Sequence, residues 1–158
     1  MHPDPALRAA SRDNARTPMQ WDTSEHAGFT TGTPWMPVNP NYTEVNAQTE
    51  LADEHSVFHH YRRLIGLRHT EPAVVDGDFH MLLADHEQVY AFTRRHGDTE
   101  LLVLGNFSGE LVTVEVPDAA GWLDAELLLA NVPAPDALQT QLTLKPWEAR
   151  VHRRHRRP

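Results

Sequence analysis

From residue 73 onward the sequence alternates short apolar runs with turn residues, at a spacing that leaves room for little except a small all-β domain. The runs are "FHMLLAD", "QVYAFTRRH", "ELLVLGNFS", "LVTVEVP", "AELLLAN", "LQTQLTLKP" and "EARVHRR", each with the period-two or fully apolar pattern of a strand. Asp76-Gly77-Asp78, His96-Gly97-Asp98, Ser108-Gly109, Pro117-Asp118 and Pro133-Ala134-Pro135 separate them, and such residues punctuate strands by supplying turn geometry. Seven strands so spaced predict a β-sandwich of about 80 residues.

The half that precedes them is different. Residues 1–50 show no period long enough for a helix or a strand, and loops of that length are uncommon in compact domains. Residues 54–69, "EHSVFHHYRRLIGLRH", predict one helix. Val57, Phe58, Tyr61, Leu64, Ile65 and Arg68 recur at steps of three and four and form an apolar stripe beside an Arg/His face. Asp53 is placed to cap its start, and Thr70-Glu71-Pro72 to stop it. A lone amphipathic helix must pack on something, and this chain offers it few partners. The stripe is therefore expected to be exposed, leaving residues 1–70 mobile or the protein self-associating.

A net charge of −8 argues against a nucleic-acid surface. The basic cluster "RRHRRP" at 153–158 reads as a solvated, frayed terminus. No apolar run has the length of a membrane span, and the N-terminus has no signal-peptide core. The absence of cysteine excludes disulfides and thiolate metal sites and fits a reducing compartment; the expected location is the cytoplasm. Asn41-Tyr42-Thr43 and Asn106-Phe107-Ser108 read as chance glycosylation triplets.

Candidate chemistry is sparse. His55 and His59 stand four apart, a spacing that puts two metal ligands on one helix face, but no third ligand recurs, so no metal site is assigned. Ser56 and Ser108 lack the glycines of a nucleophile elbow. No phosphate-cradling glycine loop is present, and no cofactor is implied. Asp13, Asp22, Glu25 and Glu44 lie in the loop region, where short carboxylates commonly bond nearby backbone. Arg12 and Arg16 flank Asp13 and Asn14. Two readings of these remain open: a structural Arg–Asp clamp, or an arginine pre-oriented to donate to a carboxylate, phosphate or sugar hydroxyl.

The order of segments is more specific than any of these alone. "SRDNARTPMQWD" at 11–22, "HAGFTTGTPWMPVNPNY" at 26–42 and "FHHYRRLIGLRHTEPAVVDGDF" at 58–79 resemble the C-terminal stretch of the α-glucosidase and oligo-1,6-glucosidase group. That group belongs to glycoside hydrolase family 13, the α-amylase superfamily. The resemblance runs from Ser11 to about Arg153 and is strongest over residues 11–80.

It implies an α+β fragment: the end of a (β/α)8 barrel, comprising an active-site loop and the last helix in residues 1–71, followed by an all-β C-terminal sandwich in residues 72–158. The irregular first half would then be one wall of an active site. Members of the group are retaining hydrolases that use an Asp nucleophile, a Glu acid/base and a second Asp. All three lie upstream of the motif, so no catalytic residue is assigned here.

Arg16, the arginine of the D-x-x-R element, is the position the resemblance carries over as substrate-binding, reaching the terminal glucose; Arg12 and Asp13 resemble its supporting shell. Trp21, Phe29 and Trp35 read as loop packing. The expected protein is an exo-acting α-glucosidase whose partners are an α-glucoside or oligosaccharide and the missing catalytic barrel, with neither nucleic acid nor membrane. The 158-residue chain, a fragment on this reading, is expected to be inactive alone. The alternatives are a segment of a trehalose synthase-like transglucosidase, and a stand-alone structural or carbohydrate-binding sandwich.

Overall fold

The computed structural model describes residues 16–135 and 138–156. The chain divides into two compact units, Met1–Tyr61 and Arg62–Pro158.

Among the described residues of the first unit, regular structure is brief. Residues Glu25–Gly28 and Pro40–Thr43 form 3-10 turns, and Ala47–Ala52 forms a six-residue helix, α1. Asn46 caps α1: its Oδ1 accepts from the Thr49 N–H at 2.9 Å while its Nδ2 donates to the Tyr42 carbonyl, also at 2.9 Å. Such a cap satisfies one of the orphan donors of the first turn.

The expected long helix is α2, Val57–Thr70, which runs across the boundary between the units. Its start is not capped by Asp53. The Asp53 Oδ1 accepts from the His55 N–H at 2.9 Å, in a turn ahead of the helix. The first helical donors go instead to Glu50 Oε2, which accepts from Phe58 N, and to Ser56 Oγ, which accepts from His59 N. No residue of α2 is buried, and the side chains of Val57, Phe58, Tyr61, Leu64 and Ile65 are exposed, as the sequence reading expects.

Pro72 does end α2, yet it also opens a further helix, α3, Pro72–Asp76. Proline's fixed φ and missing N–H suit the first helical position, and the buried Glu71 carboxylate caps it by accepting from Ala73 N.

All seven expected strands form, in Asp78–Leu82 (β1), Val89–His96 (β2), Thr99–Asn106 (β3), Val112–Glu115 (β4), Glu126–Ala130 (β5), Gln141–Leu144 (β6) and Ala149–His155 (β7). Five make an antiparallel sheet in the order β1-β2-β3-β7-β5, and β4 pairs with β6 in a second. β2 and β3 are joined by the two residues Gly97 and Asp98, with His96 opposite Thr99 and Gly97 at φ +62°. Positive φ at the first central position is what such a hairpin asks of glycine.

Strand alternation sorts each sheet into two faces. Val89 and Ala91 of β2, Leu102 and Leu104 of β3, Val112 and Val114 of β4, and Leu142 and Leu144 of β6 form one core between the sheets. Trp122, on the 3-10 turn Ala119–Trp122, joins that core.

The first two arginines of the basic cluster are not part of a solvated tail. Arg153 and Arg154 lie in β7. Arg154 stacks 4.0 Å over Trp122 and is held by Glu100 at 2.8 Å and Asp118 at 3.0 Å. Arg153 bridges Glu71 at 3.0 Å and Glu126 at 2.5 Å, and these two carboxylates hold its guanidinium proton more tightly than usual, Glu126 foremost. The partners lie as far as 82 residues away in sequence, which is why the local run of like charge looked solvated.

Candidate functional site

The segment that starts at Arg16 is fixed by its own polar groups. Gln20 donates through Nε2 to Asn41 Oδ1 at 3.1 Å and to the Val45 carbonyl. The carbonyls of Gln20 and Trp21 accept from Ala47 N and Gln48 N, each at 2.9 Å. Backbone donors at the start of α1 thus find partners in the chain that approaches from Arg16, and the loop meets its hydrogen-bonding needs without a sheet.

A left-handed turn closes the segment. His26, Ala27 and Gly28 have φ of 56°, 57° and 65°. The Ala27 carbonyl accepts from Trp21 N at 2.9 Å and Asp22 N at 3.3 Å. Asp22 supports the same turn: its Oδ1 accepts from Ser24 N at 2.8 Å and Ser24 Oγ at 2.5 Å. Those two bonds stabilise the charged carboxylate, the hydroxyl more than the amide, and hold its pKa below the ordinary value. A Cβ at Gly28 would stand 2.6 Å from Asp22 Oδ2, so glycine is required there for space as well as for φ.

Arg16 itself is exposed and opens the described part of this unit. Arg12 and Asp13 lie outside the described residues. Of the loop carboxylates, Asp22 is committed to the turn, while Glu25 and Glu44 are exposed. Trp21 and Phe29 are about half exposed and Trp35 is 83% exposed, so the loop does not bury its aromatics as the sequence reading expects. Trp35, His26, Glu25 and Tyr42 line a recess of about 350 Å³.

Among the described residues no three His, Asp or Glu side chains gather in a way that could hold a metal ion. His59 is bonded through Nε2 to the Leu51 carbonyl at 3.1 Å. No helix among them is long and apolar enough to cross a membrane. Asn106 is buried, its amide donating to the carbonyls of Glu110 and Lys145 while its Oδ1 accepts from Ser108; its role is to tie the β3–β4 turn to the β6–β7 turn.

The geometry therefore shows a loop anchored by Gln20, Asp22 and a left-handed turn, followed by a sandwich of two antiparallel sheets. Comparison with known proteins agrees. Residues 3–77 match the α-amylase catalytic domain, and residues 89–151 match the C-terminal domain of the α-amylase SusG. The oligo-1,6-glucosidase of Parageobacillus thermoglucosidasius is 47% identical over 143 residues, 90% of this chain and 25% of that protein. The trehalose-6-phosphate hydrolase of Bacillus subtilis is 44% identical over 150 residues, 93% of this chain and 26% of that protein.

Among solved structures, the trehalose-6-phosphate hydrolase of Bacillus licheniformis superposes with a TM-score of 0.85 at 40% identity, over 93% of this chain and 27% of that one. The trehalulose synthase MutB of Pseudomonas mesoacidophila gives 0.81 at 42%, over 90% of this chain and 26% of that one. The chain belongs to the α-amylase family, glycoside hydrolase family 13, and carries the end of its barrel catalytic domain followed by the C-terminal β-sandwich. It spans about a quarter of the length of the curated relatives it matches.

Proposed function

We propose that this chain is the C-terminal segment of an exo-acting, retaining α-glucosidase that hydrolyses α-glucosidic bonds of small oligosaccharides, with its domain boundary at residues 71–72. Arg16 donates charge-assisted hydrogen bonds to the terminal glucose, and Arg12 and Asp13 orient it. The observation that carries this reading is the anchored loop after Arg16. Gln20, Trp21 and Asp22 are each hydrogen-bonded in place, and a donor acts on a transition state best when its position is fixed beforehand.

Retaining hydrolysis needs two carboxyl groups flanking the bond. In this reading the rest of the catalytic domain supplies them, so the chain alone does not turn over. The lack of cysteine supports a cytoplasmic location.

The deciding experiment replaces Arg16 by Ala in a polypeptide that carries the whole catalytic domain. Loss of a charged donor at the reacting sugar lowers transition-state binding by about 2–4 kcal/mol; unchanged kcat/KM removes Arg16 from the site. Turnover of a nitrophenyl α-glucoside by the purified 158-residue chain refutes its inactivity.

A second reading, a transglucosidase, is favoured by the likeness to a trehalulose synthase. Product analysis separates the two. Hydrolysis releases free glucose, whereas transfer yields a rearranged disaccharide.

A further inference from the structure

The recess of about 350 Å³ in the first unit is built from two pieces of strained or stiffened chain. One is the left-handed turn. His26 and Ala27 both hold positive φ without being glycine, a costly geometry for L-residues that concentrates at ligand sites. Ala27 is buried and its carbonyl is taken by Trp21 and Asp22, while the His26 ring lines the recess.

The other piece runs from Thr33 to Tyr42. Between Pro34 and Pro37 the chain buries Met36 and leaves the larger indole of Trp35 outside. Two fixed proline φ angles restrict the backbone there. Tyr42 completes the wall from the 3-10 turn Pro40–Thr43. Its N–H donates to the Asn39 carbonyl at 3.1 Å, and its own carbonyl accepts from Asn46 Nδ2.

The polar groups around these rings are uncommitted. His26 Nε2 stands 3.8 Å from Glu25 Oε1, beyond hydrogen-bond distance. Among the described residues the hydroxyls of Thr33 and Tyr42 have no hydrogen-bond partner. A protein surface packed over the recess would bury these groups unpaired, which is unfavourable. A sugar ring suits them better. Its C–H face can lie on the indole while its hydroxyls exchange hydrogen bonds with the rim. The Glu25 carboxylate favours a neutral ring over a phosphorylated one, since like charges repel.

We propose that this recess seats one neutral glucosyl ring of an oligosaccharide, beyond the terminal glucose that Arg16 takes. The chain bounds the separation. Trp21 N–H bonds the Ala27 carbonyl at 2.9 Å, and the five residues from Arg16 to Trp21 span at most about 18 Å when extended, the reach of a short oligosaccharide. The recess would give the enzyme a preference for chain length. The inference rests on the α-glucosidase reading above.

The first test titrates the 158-residue chain with isomaltotriose and follows the indole N–H signals of its four tryptophans by NMR. The Trp35 signal should move and saturate, while those of Trp122 and Trp147 stay in place. Trp35→Ala should keep the melting temperature within about 1 °C, because the side chain is exposed. Followed at the His26 and Tyr42 amides, it should bind at least about tenfold more weakly. Tyr42→Phe keeps the ring, loses the hydroxyl and should weaken binding by about fivefold. Absence of a saturable shift at Trp35 overturns the proposal. So does an equal shift with cyclohexanol, which offers the ring without the polyol.

The second test fuses all 158 residues behind the preceding part of the Parageobacillus oligo-1,6-glucosidase, in place of that enzyme's own matching quarter. Trp35→Ala should lower kcat/KM at least about fivefold more for isomaltotetraose than for a nitrophenyl α-glucoside, chiefly through KM. Equal losses on both substrates overturn the proposal. Arg16→Ala in the same fusion reports on the site reading separately. Lost turnover there, without a chain-length effect of Trp35→Ala, fails the recess alone. Unchanged turnover, with the Trp35 titration intact, fails the Arg16 assignment alone.

Discussion

Glu148 Oε1 accepts from Arg150 Nε at 2.6 Å with both side chains sealed from solvent, on the core side of the sheet where β3 presents Leu104 opposite Arg150. Glu148 uses its second oxygen on the Lys145 N–H at 2.7 Å, and Arg150 reaches the Thr143 carbonyl at 3.3 Å. The pair stitches the β6–β7 turn to the start of β7. Removing one member strands the other charge in an apolar core, which costs about 3–5 kcal/mol, whereas an apolar pair of similar volume can be neutral. Glu148→Ala should lose that much in urea denaturation. Glu148→Leu combined with Arg150→Met should recover most of it. A double variant as unstable as the single one would show that the turn's geometry, not the stranded charge, sets the cost.

His152 sits one step further along the same face of β7, fully buried. Neither ring nitrogen has a hydrogen-bond partner among the described residues. Burial, with a smaller push from the Arg150 charge, lowers its pKa to about 4 from 6.5. The sign follows from linkage: a depressed histidine pKa means that the unfolded chain binds the extra proton first. The neutral ring imposes no proton penalty above about pH 6.5, and the protein's stability declines as pH falls from there toward 4, by about 3 kcal/mol in all. His152→Leu should flatten the stability profile across that window. It should also raise stability at pH 7 by about 1 kcal/mol, since it removes two unsatisfied buried atoms. Equal pH slopes for variant and parent in chemical denaturation would place the acid sensitivity elsewhere.

The strands were legible because alternation is local: Val112 and Val114, or Leu142 and Leu144, announce their face within four residues. What escaped the sequence reading depends on distant partners or on rare backbone geometry. Arg153 and Arg154 read as a tail because Glu71 and Glu100, which fix them, lie far back in the chain. α1 is too short for a helical period, although Asn46 three residues before Thr49 was a usable capping signal. Nothing in His26-Ala27 announces a left-handed turn, because alanine disfavours it and histidine adopts it in only a small share of cases; the Asp22-x-Ser24 pattern was the available hint. The proposal for Arg16 rests on the order of whole segments, because no local pattern in residues 11–22 singles out one arginine as a ligand donor.

Arg153 supplies a cation to Glu71, whose side chain is nearly buried against the sheet. Arg153→Met should therefore leave a buried carboxylate without its partner and cost about 2–4 kcal/mol. Adding Glu71→Gln should rescue the variant, because it removes the stranded charge. A double variant as unstable as Arg153→Met would mean that Arg153 acts through packing of its stem alone.

Gly28 stands where the left-handed turn meets the Asp22 carboxylate, and the consequences of altering it run in two directions. Gly28→Ala adds a Cβ 2.6 Å from Asp22 Oδ2 at φ +65°. Left-handed geometry alone costs about 1–2 kcal/mol for an L-residue, and the collision displaces the carboxylate from Ser24. His26→Gly works the other way, relieving a non-glycine residue at φ 56° and gaining up to about 1 kcal/mol of local stability. Amide exchange at Trp21 and Asp22 is the direct readout, since both N–H groups are held by the Ala27 carbonyl. Exchange should quicken in Gly28→Ala and slow in His26→Gly. Acid should mimic the glycine substitution: Asp22's depressed pKa means its hold on Ser24 is complete above the ordinary carboxylate range and is lost as pH falls through the folded-state pKa. If exchange at Trp21 ignores both substitutions, the turn does not anchor the segment that leads from Arg16.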